Sequence, residues 1–212
     1  MVKIVDFCKE TLRGRTLYRI LFSWEIEKHC SKISGSILDI GGGKSPTYQK
    51  YLSEDAQLVR SEPFSEKNPD VVLDMNQTDW DLMPASYQTI FCHNTLYIAK
   101  DPHQVLKNIH KVLKPHGKLF LTTPFVFRES PEPTDYDRYT SLRLKEMLES
   151  AGFIKVEVFP FGKSFSTCAY ILYPLMYFRI VKLALFGVAL ILDTIVPNRL
   201  SVPLGFFTIA KK

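Results

Sequence analysis

The fold is decided by seven consecutive residues, Ile37-Leu38-Asp39-Ile40-Gly41-Gly42-Gly43. An apolar strand runs here into a glycine turn, and a helix candidate follows at 46–53. Glycines at the carboxyl end of a parallel strand let the backbone approach a ligand closely. The stretch therefore predicts a ligand site at the edge of an open α/β sheet.

Short apolar runs alternate with helical segments along most of the chain. Strands are predicted at 37–40, 57–60, 71–73, 89–92, 118–122, 153–159 and 205–210, and helices at 102–113 and 141–150. This alternation is typical of a doubly wound, seven-stranded, mostly parallel sheet. The predicted organisation is a helical cap at 1–35, an α/β domain at 36–162, an apolar helical insertion at 163–200, and the last strand of the sheet at 201–212.

Composition excludes several classes of protein. With 212 residues, 46% hydrophobic and 23% charged, the chain is long and apolar enough to fold around a core. Its four cysteines form no C-x-x-C pair, so neither a disulfide framework nor a metal site is expected. No run of basic residues suits nucleic acid. No secretory signal is apparent, and we expect a cytoplasmic location.

Three kinds of ligand compete for the glycine turn. A dinucleotide requires glycine where Pro46 stands, and the Asp39 carboxylate would repel its pyrophosphate. A P-loop requires glycine where Leu38 stands. A ligand that carries a positive charge tolerates Asp39 and is therefore favoured.

Acidic residues also end the next two predicted strands. Glu62 lies 23 residues after Asp39 and can accept both hydroxyls of a ribose. Asp74, followed by Met75, can meet the amino group of an adenine. Three acids at three successive strand ends favour one shared ligand over three unrelated polar termini.

These motifs, with three further ones, resemble those of class I S-adenosylmethionine-dependent methyltransferases, in particular the small type 11 branch. The further segments are 91–102, the turn 112–119 (VLKPHGKL), and 135–140 (DYDRYT). The resemblance covers about 36–160 and the last strand. It implies a Rossmann-like methyltransferase fold and S-adenosylmethionine as cofactor. The implied cofactor residues are Asp39, Gly41, Gly42, Gly43, Glu62, Asp74, Met75, His93 and Asn94.

The resemblance implies methyl transfer to a small acceptor. His93, Tyr136 and Arg138 are predicted to border the transferred methyl group, with His93 as the titratable candidate. The alternatives are a cofactor contact without proton chemistry for His93 and loop packing for the other two. Many relatives carry Glu-His at 97–98 and a histidine at 135, where this chain has Tyr-Ile and Asp. These departures motivate a rival hypothesis, a non-catalytic S-adenosylmethionine-binding protein with a regulatory or structural role.

The stretch 168–192 is the most apolar part of the chain, with Arg179 and Lys182 as its only charges and a break at Pro174. Each central charge would cost about 2.5–3.5 kcal/mol in a membrane span. Two interfacial helices fit better, and the net charge of +5 over 151–212 favours an anionic membrane surface. A lid or a subunit interface that makes an oligomer is the alternative. The expected acceptor is amphipathic, lipid-linked or related to a glycan precursor.

Overall fold

The computed structural model describes residues 4–43, 48–129, 134–197 and 201–212. Its helices are α1 (Ile4–Leu12), α2 (Leu17–His29), α3 (Pro102–Val112), α4 (Ser141–Ser150), α5 (Ser164–Leu172) and α6 (Arg179–Ile195). Its strands are β1 (Ser36–Ile40), β2 (Gln57–Glu62), β3 (Val71–Val72), β4 (Tyr87–His93), β5 (Leu113–Pro124), β6 (Ile154–Phe161) and β7 (Gly205–Lys211). Single 3₁₀ turns occur at Gln49–Tyr51, Ser65–Lys67, Leu96–Ile98 and Tyr173–Leu175.

All seven strands form one sheet in the order β3-β2-β1-β4-β5-β7-β6. β7 runs antiparallel to both of its neighbours, and the other pairings are parallel. The prediction of a doubly wound, mostly parallel sheet is therefore confirmed. The chain moves outward from β1 to β3 and then returns to β4 on the other side of β1. Ligands bind at such a switch point in open α/β sheets.

Two local predictions need correction. The predicted helix at 46–53 begins in residues 44–47, which lie outside the described part, and the rest of it holds only the 3₁₀ turn Gln49–Tyr51. The turn of the segment 112–119, which the sequence places before the strand predicted at 118–122, lies within β5 instead. His116 takes a left-handed conformation there (φ 63°), and the register against β4 shifts between Tyr87 and Thr89. The turn is thus accommodated as a bulge.

A separate hydrophobic core covers each face of the sheet. α3 and α4 pack on one face through residues such as Leu106, Ile109 and Leu148. α2, α5 and α6 pack on the other face, where Ile26 and Phe186 are fully buried. α2 therefore belongs to the core and also reaches the edge where β1 and β4 end.

The apolar insertion is a pair of helices, broken at Pro174 as the sequence predicts. The carboxylate of Asp193, near the end of α6, accepts hydrogen bonds from the backbone N–H groups of Phe165 and Ser166 at 2.9 and 3.0 Å. It thereby caps the first turn of α5, whose N–H groups have no partner within the helix. No helix in the described part of the chain is long and apolar enough to cross a membrane.

Candidate active site

The glycine turn after β1 is wrapped around the carboxylate of Asp39. Gly41 has a φ of +71°, and its N–H donates to the carbonyl of Ser61 at 2.9 Å. A Cβ on Gly42 would lie only 1.4 Å from Oδ2 of Asp39. A side chain at Gly42 would therefore displace the carboxylate, which explains the glycine requirement in the sequence motif.

Asp39 is fully buried at the end of β1. Burial raises the pKa of its carboxyl to about 7, and the facing hydroxyl of Tyr48 only partly offsets this rise. A buried carboxyl with a raised pKa is stabilised in its ionised form by a nearby cation. This environment suits a positively charged ligand, as the sequence predicts.

Glu62 ends β2 beside the same turn and is also buried. Its Oε1 accepts a hydrogen bond from the N–H of Gly43 at 2.9 Å, so the acid and the turn hold each other in place. Asp74 follows β3 and accepts from the backbone and side-chain amides of Asn76, at 2.9 and 3.2 Å. The Met75 side chain packs into the core. The three predicted acids thus lie at successive strand ends on one edge of the sheet.

His93 ends β4 in aromatic surroundings. Its Nδ1 lies 2.8 Å from Oγ1 of Thr122, and its Nε2 has no hydrogen-bond partner among the described residues. The rings of Phe22 and Phe91 lie 5.1 and 5.3 Å away. Desolvation by this environment lowers the pKa of His93 to about 3, so the imidazole is neutral near pH 7.

Asn94, the next residue, joins the sheet edge to α2. It takes a left-handed conformation (φ 55°), and its N–H donates to the carbonyl of Thr122 at 2.8 Å. Its side-chain oxygen accepts a hydrogen bond from the hydroxyl of Tyr18, a buried residue of α2. The N-terminal helix α2 therefore contributes directly to the site.

A cavity of about 450 Å³ opens between these elements. Asp39, Gly41, Gly42, His93 and Asn94 line its inner end. Its outer wall is aromatic and comes from α2, α5 and the loops after β4 and β5: Tyr18, Phe22, Tyr97, Phe127, Tyr170 and Tyr173. Sequence reasoning missed this wall, because its members come from elements that only the tertiary packing brings together.

The predicted residues Tyr136 and Arg138 are not among the described residues that line the cavity. The backbone N–H of Tyr136 donates to the carbonyl of Tyr97 at 3.0 Å, and its side chain is 47% exposed. Arg138 forms a two-point ion pair with Asp135 and lies over the ring of Tyr97, 5.3 Å from its centroid. Both residues thus contact Tyr97, which lines the cavity. That they border the transferred methyl group stays a prediction.

Fold and site together define a methyltransferase-type α/β protein, and comparisons with known proteins agree. Residues 21–158 match a family model described as a methyltransferase domain, so the chain belongs to this family. A search of curated proteins gave no match.

Solved structures with the same fold share little sequence with the chain. An S-adenosylmethionine-dependent methyltransferase from Archaeoglobus fulgidus has a TM-score of 0.62 at 17% identity, covering 96% of this chain and 97% of its own. A possible histamine N-methyltransferase from Thermotoga maritima has a TM-score of 0.56 at 15% identity, covering 92% and 91%. Phosphoethanolamine N-methyltransferase 2 from Haemonchus contortus, in complex with S-adenosylmethionine, has a TM-score of 0.55 at 17% identity. It aligns with 90% of this chain over 52% of its own length.

The predicted class, an S-adenosylmethionine-dependent methyltransferase, is confirmed. The residues present fit its cofactor. Asp39 would face positive charge, Glu62 would accept from the ribose, and the glycine turn would allow close backbone approach. Nothing in the comparisons favours the rival non-catalytic hypothesis.

Proposed function

We propose that this enzyme methylates a small amphipathic acceptor, lipid-linked or glycan-related, that it meets at an anionic membrane surface. The observation that carries the proposal is an exposed apolar surface that adjoins the aromatic mouth of the cavity. S-adenosylmethionine supplies an activated methyl group. The chain has to hold donor and acceptor in line, exclude water, and provide for any proton that the acceptor loses.

The cavity supplies orientation and water exclusion. Aromatic rings of Tyr18, Phe127 and Tyr170 contact one another, with centroids 5.5 Å apart for Tyr18 and Phe127 and 6.2 Å for Tyr18 and Tyr170. Such a wall suits the apolar body of an acceptor, and its hydroxyls suit a polar head. His93 lines the inner end and stays neutral near pH 7, and its buried Nε2 has no hydrogen-bond partner among the described residues. With its low pKa it is a weak base, so we assign it to positioning the acceptor by hydrogen bonding.

The apolar surface consists of exposed side chains on the segment 175–178 between α5 and α6 and on the outward face of α6. We call it the apolar patch, and its main members are Leu175, Tyr177, Phe178, Ile180, Val188 and Ile191. Tyr177 is 90% exposed and Ile180 is 75% exposed. Patches of contiguous exposed apolar side chains mark sites of protein or membrane contact.

Positive charge borders one end of the apolar patch. Arg179 donates a hydrogen bond to the carbonyl of Leu12, which anchors the start of α6 beside α1. The ammonium group of Lys182 lies 5.4 Å from the ring centroid of Tyr173. Asp193, the acidic residue of α6, is buried. Apolar side chains beside basic ones match the boundary between anionic headgroups and acyl chains.

The cavity and the apolar patch adjoin at one 3₁₀ turn, which holds both Tyr173 of the cavity wall and Leu175 of the patch. The ring of Tyr173 belongs to the cavity wall, contacts Lys182, and lies 6.1 Å from the buried ring of Phe186 on α6. An acceptor with a lipid tail can therefore leave its tail in the membrane while its head enters the cavity. This continuity favours a membrane surface over a second copy of the chain as the patch's partner.

Vesicle co-sedimentation tests the membrane part. We expect binding to anionic vesicles that weakens with salt, because a screening length of about 8 Å at physiological ionic strength reduces the electrostatic part. Arg179→Glu with Lys182→Glu should release the protein, as should Phe178→Ser with Ile180→Ser. Ile154→Ser, an exposed isoleucine of β6, is the matched control and should leave binding unchanged. Absence of binding to any vesicle would assign the apolar patch to a protein partner instead.

Turnover tests the chemical part. With labelled S-adenosylmethionine, label should enter the organic phase when a membrane lipid extract is supplied, and S-adenosylhomocysteine should form in proportion. An aqueous metabolite extract is the control. Label in aqueous products alone would contradict an amphipathic acceptor, and no S-adenosylhomocysteine with either extract would favour the non-catalytic hypothesis.

A further inference from the structure

Two arginines stand at the mouth of the cavity on different elements. Arg19 belongs to α2, Arg128 follows β5, and both line the cavity with exposed side chains. Neither guanidinium forms an ion pair or a hydrogen bond with a described residue. Arg138, which lies over the ring of Tyr97, differs in this respect because Asp135 holds its guanidinium. Arg19 and Arg128 therefore keep their donors available.

Each of the two charges acts on one of two neighbouring tyrosines. Burial raises the pKa of Tyr18 well above its ordinary value, and the charge of Arg19 opposes that rise. Burial likewise raises the pKa of Tyr170 to about 12, and the charge of Arg128 opposes it. The two rings are 6.2 Å apart and line the same cavity as both arginines.

Among the described residues that line the cavity, none that lies beside these two arginines is acidic. Asp39 is the one carboxylate among the described lining residues, and it is buried at the inner end beneath the glycine turn. The two ends of the cavity thus carry opposite charge. Asp39 is at the inner end, where the cofactor's positive charge would lie, and Arg19 and Arg128 are at the mouth, where the acceptor would enter. A cationic acceptor head would be repelled at this mouth, while an anionic one would be attracted.

We infer that the acceptor carries a phosphate group, which Arg19 and Arg128 bind at the mouth of the cavity while its apolar part packs against Tyr18 and Tyr170. A phosphate monoester carries between one and two negative charges near pH 7, and each guanidinium can form two parallel hydrogen bonds to its oxygens. This inference rests on the proposed function, because it concerns the acceptor end of that same site. A phospholipid headgroup and a free phosphorylated metabolite share the chemistry.

Calorimetry on the full chain saturated with S-adenosylhomocysteine tests the inference with two probes. Phenyl phosphate represents a free phosphate monoester, and dihexanoylphosphatidate represents a lipid headgroup. Benzyl alcohol, which has a similar ring and no charge, is the control ligand. We expect at least one phosphate probe to bind at least tenfold more tightly than benzyl alcohol. If only one probe binds, it shows whether the acceptor is a free phosphate monoester or a lipid headgroup. If both bind, the site recognises the phosphate group itself.

The variants Arg19→Gln and Arg128→Gln should each weaken phosphate binding about threefold or more, and the double variant at least tenfold. Arg143→Gln, on the exposed face of α4, is the matched control and should change nothing. All variants should retain their affinity for S-adenosylhomocysteine, which shows that they are folded. Equal phosphate binding by the double variant, or no preference over benzyl alcohol, would overturn the inference. Failure of the wild type to bind S-adenosylhomocysteine would instead overturn the proposed function.

Discussion

The two ends of the cavity are built in different ways. The inner end consists of the glycine turn with the buried Asp39 beneath it. Glu62, which is not among the described lining residues, holds the turn from outside through Gly43. The outer end consists of aromatic rings and arginines from helices and loops, such as Tyr18 and Tyr170. The inner end fixes a ligand by close backbone approach, whereas the outer end can change by side-chain substitution alone. We therefore propose that the inner end binds the cofactor and that the outer end selects the acceptor.

Gly42→Ala should give the largest loss of cofactor affinity, and it should alter only the inner end of the cavity. The new Cβ would lie 1.4 Å from Oδ2 of Asp39, so the carboxylate or the turn has to move. We expect the affinity for S-adenosylhomocysteine to fall at least 100-fold in calorimetry. Gly187→Ala on α6 is the matched control, since its Cβ would meet only Phe7 at 3.9 Å. It should keep full affinity and gain up to about 1 kcal/mol in unfolding free energy.

If Gly42→Ala binds S-adenosylhomocysteine like the wild type, the glycine turn is not the cofactor site. The assignment of the two ends would then have to be reversed or abandoned.

The pH dependence of cofactor affinity should follow Asp39. Burial raises the pKa of its carboxyl to about 7, so below that pH the folded protein holds a proton that a bound cation displaces. Affinity for S-adenosylhomocysteine should therefore rise with pH between about 5 and 7, by at most tenfold per unit, and level off above. His93, with a pKa of about 3, does not titrate in this window.

The free protein should show the opposite trend in stability. Between about pH 4 and 7 the unfolded chain has lost the Asp39 proton that the folded chain keeps, so stability falls as pH rises. Other groups that act on this carboxyl are Tyr48, Glu62 and Arg60.

The variant Asp39→Asn tests the pH dependence of cofactor binding. It should abolish that dependence, and a pH dependence that survives in the variant would have to come from another group.

Tyr18→Phe should give the smallest effect, because it removes one hydrogen bond between α2 and Asn94. A single hydrogen bond contributes about 0.5–1.5 kcal/mol, so we expect roughly a threefold to tenfold loss in cofactor affinity. Tyr87→Phe, at the opposite end of β4, is the matched control. If Tyr18→Phe and the control behave alike in calorimetry, α2 covers the site without orienting Asn94.

The sequence predicted the inner end because its signals are local. The ILDIGGG stretch and the acids at 62 and 74 follow strands directly, so each position in the chain translates into a position at the sheet edge. Parallel strands place their carboxyl ends together, and no further information is needed to join the three acids.

The outer end could not be predicted, because its contacts span long distances in the chain. Tyr18 bonds to a residue 76 positions away, and the sequence predicts only that Tyr18 belongs to the helical cap at 1–35. Arg19 and Arg128 carry no motif, and their shared location depends on how α2 packs against the sheet. Tyr136 and Arg138 belong to a sequence motif. Arg138 nevertheless pairs with Asp135 and lies over the ring of Tyr97, and it is not among the described residues that line the cavity.

A crystal structure with S-adenosylhomocysteine tests the division of the cavity most directly. We predict that the Glu62 carboxylate accepts hydrogen bonds from the ribose and that the ligand's amino group lies toward Asp39. We also predict that the sulfur faces the aromatic wall formed by Tyr18, Tyr97 and Tyr170. A ligand bound with its ribose away from Glu62, or with its sulfur turned away from that wall, would contradict the account.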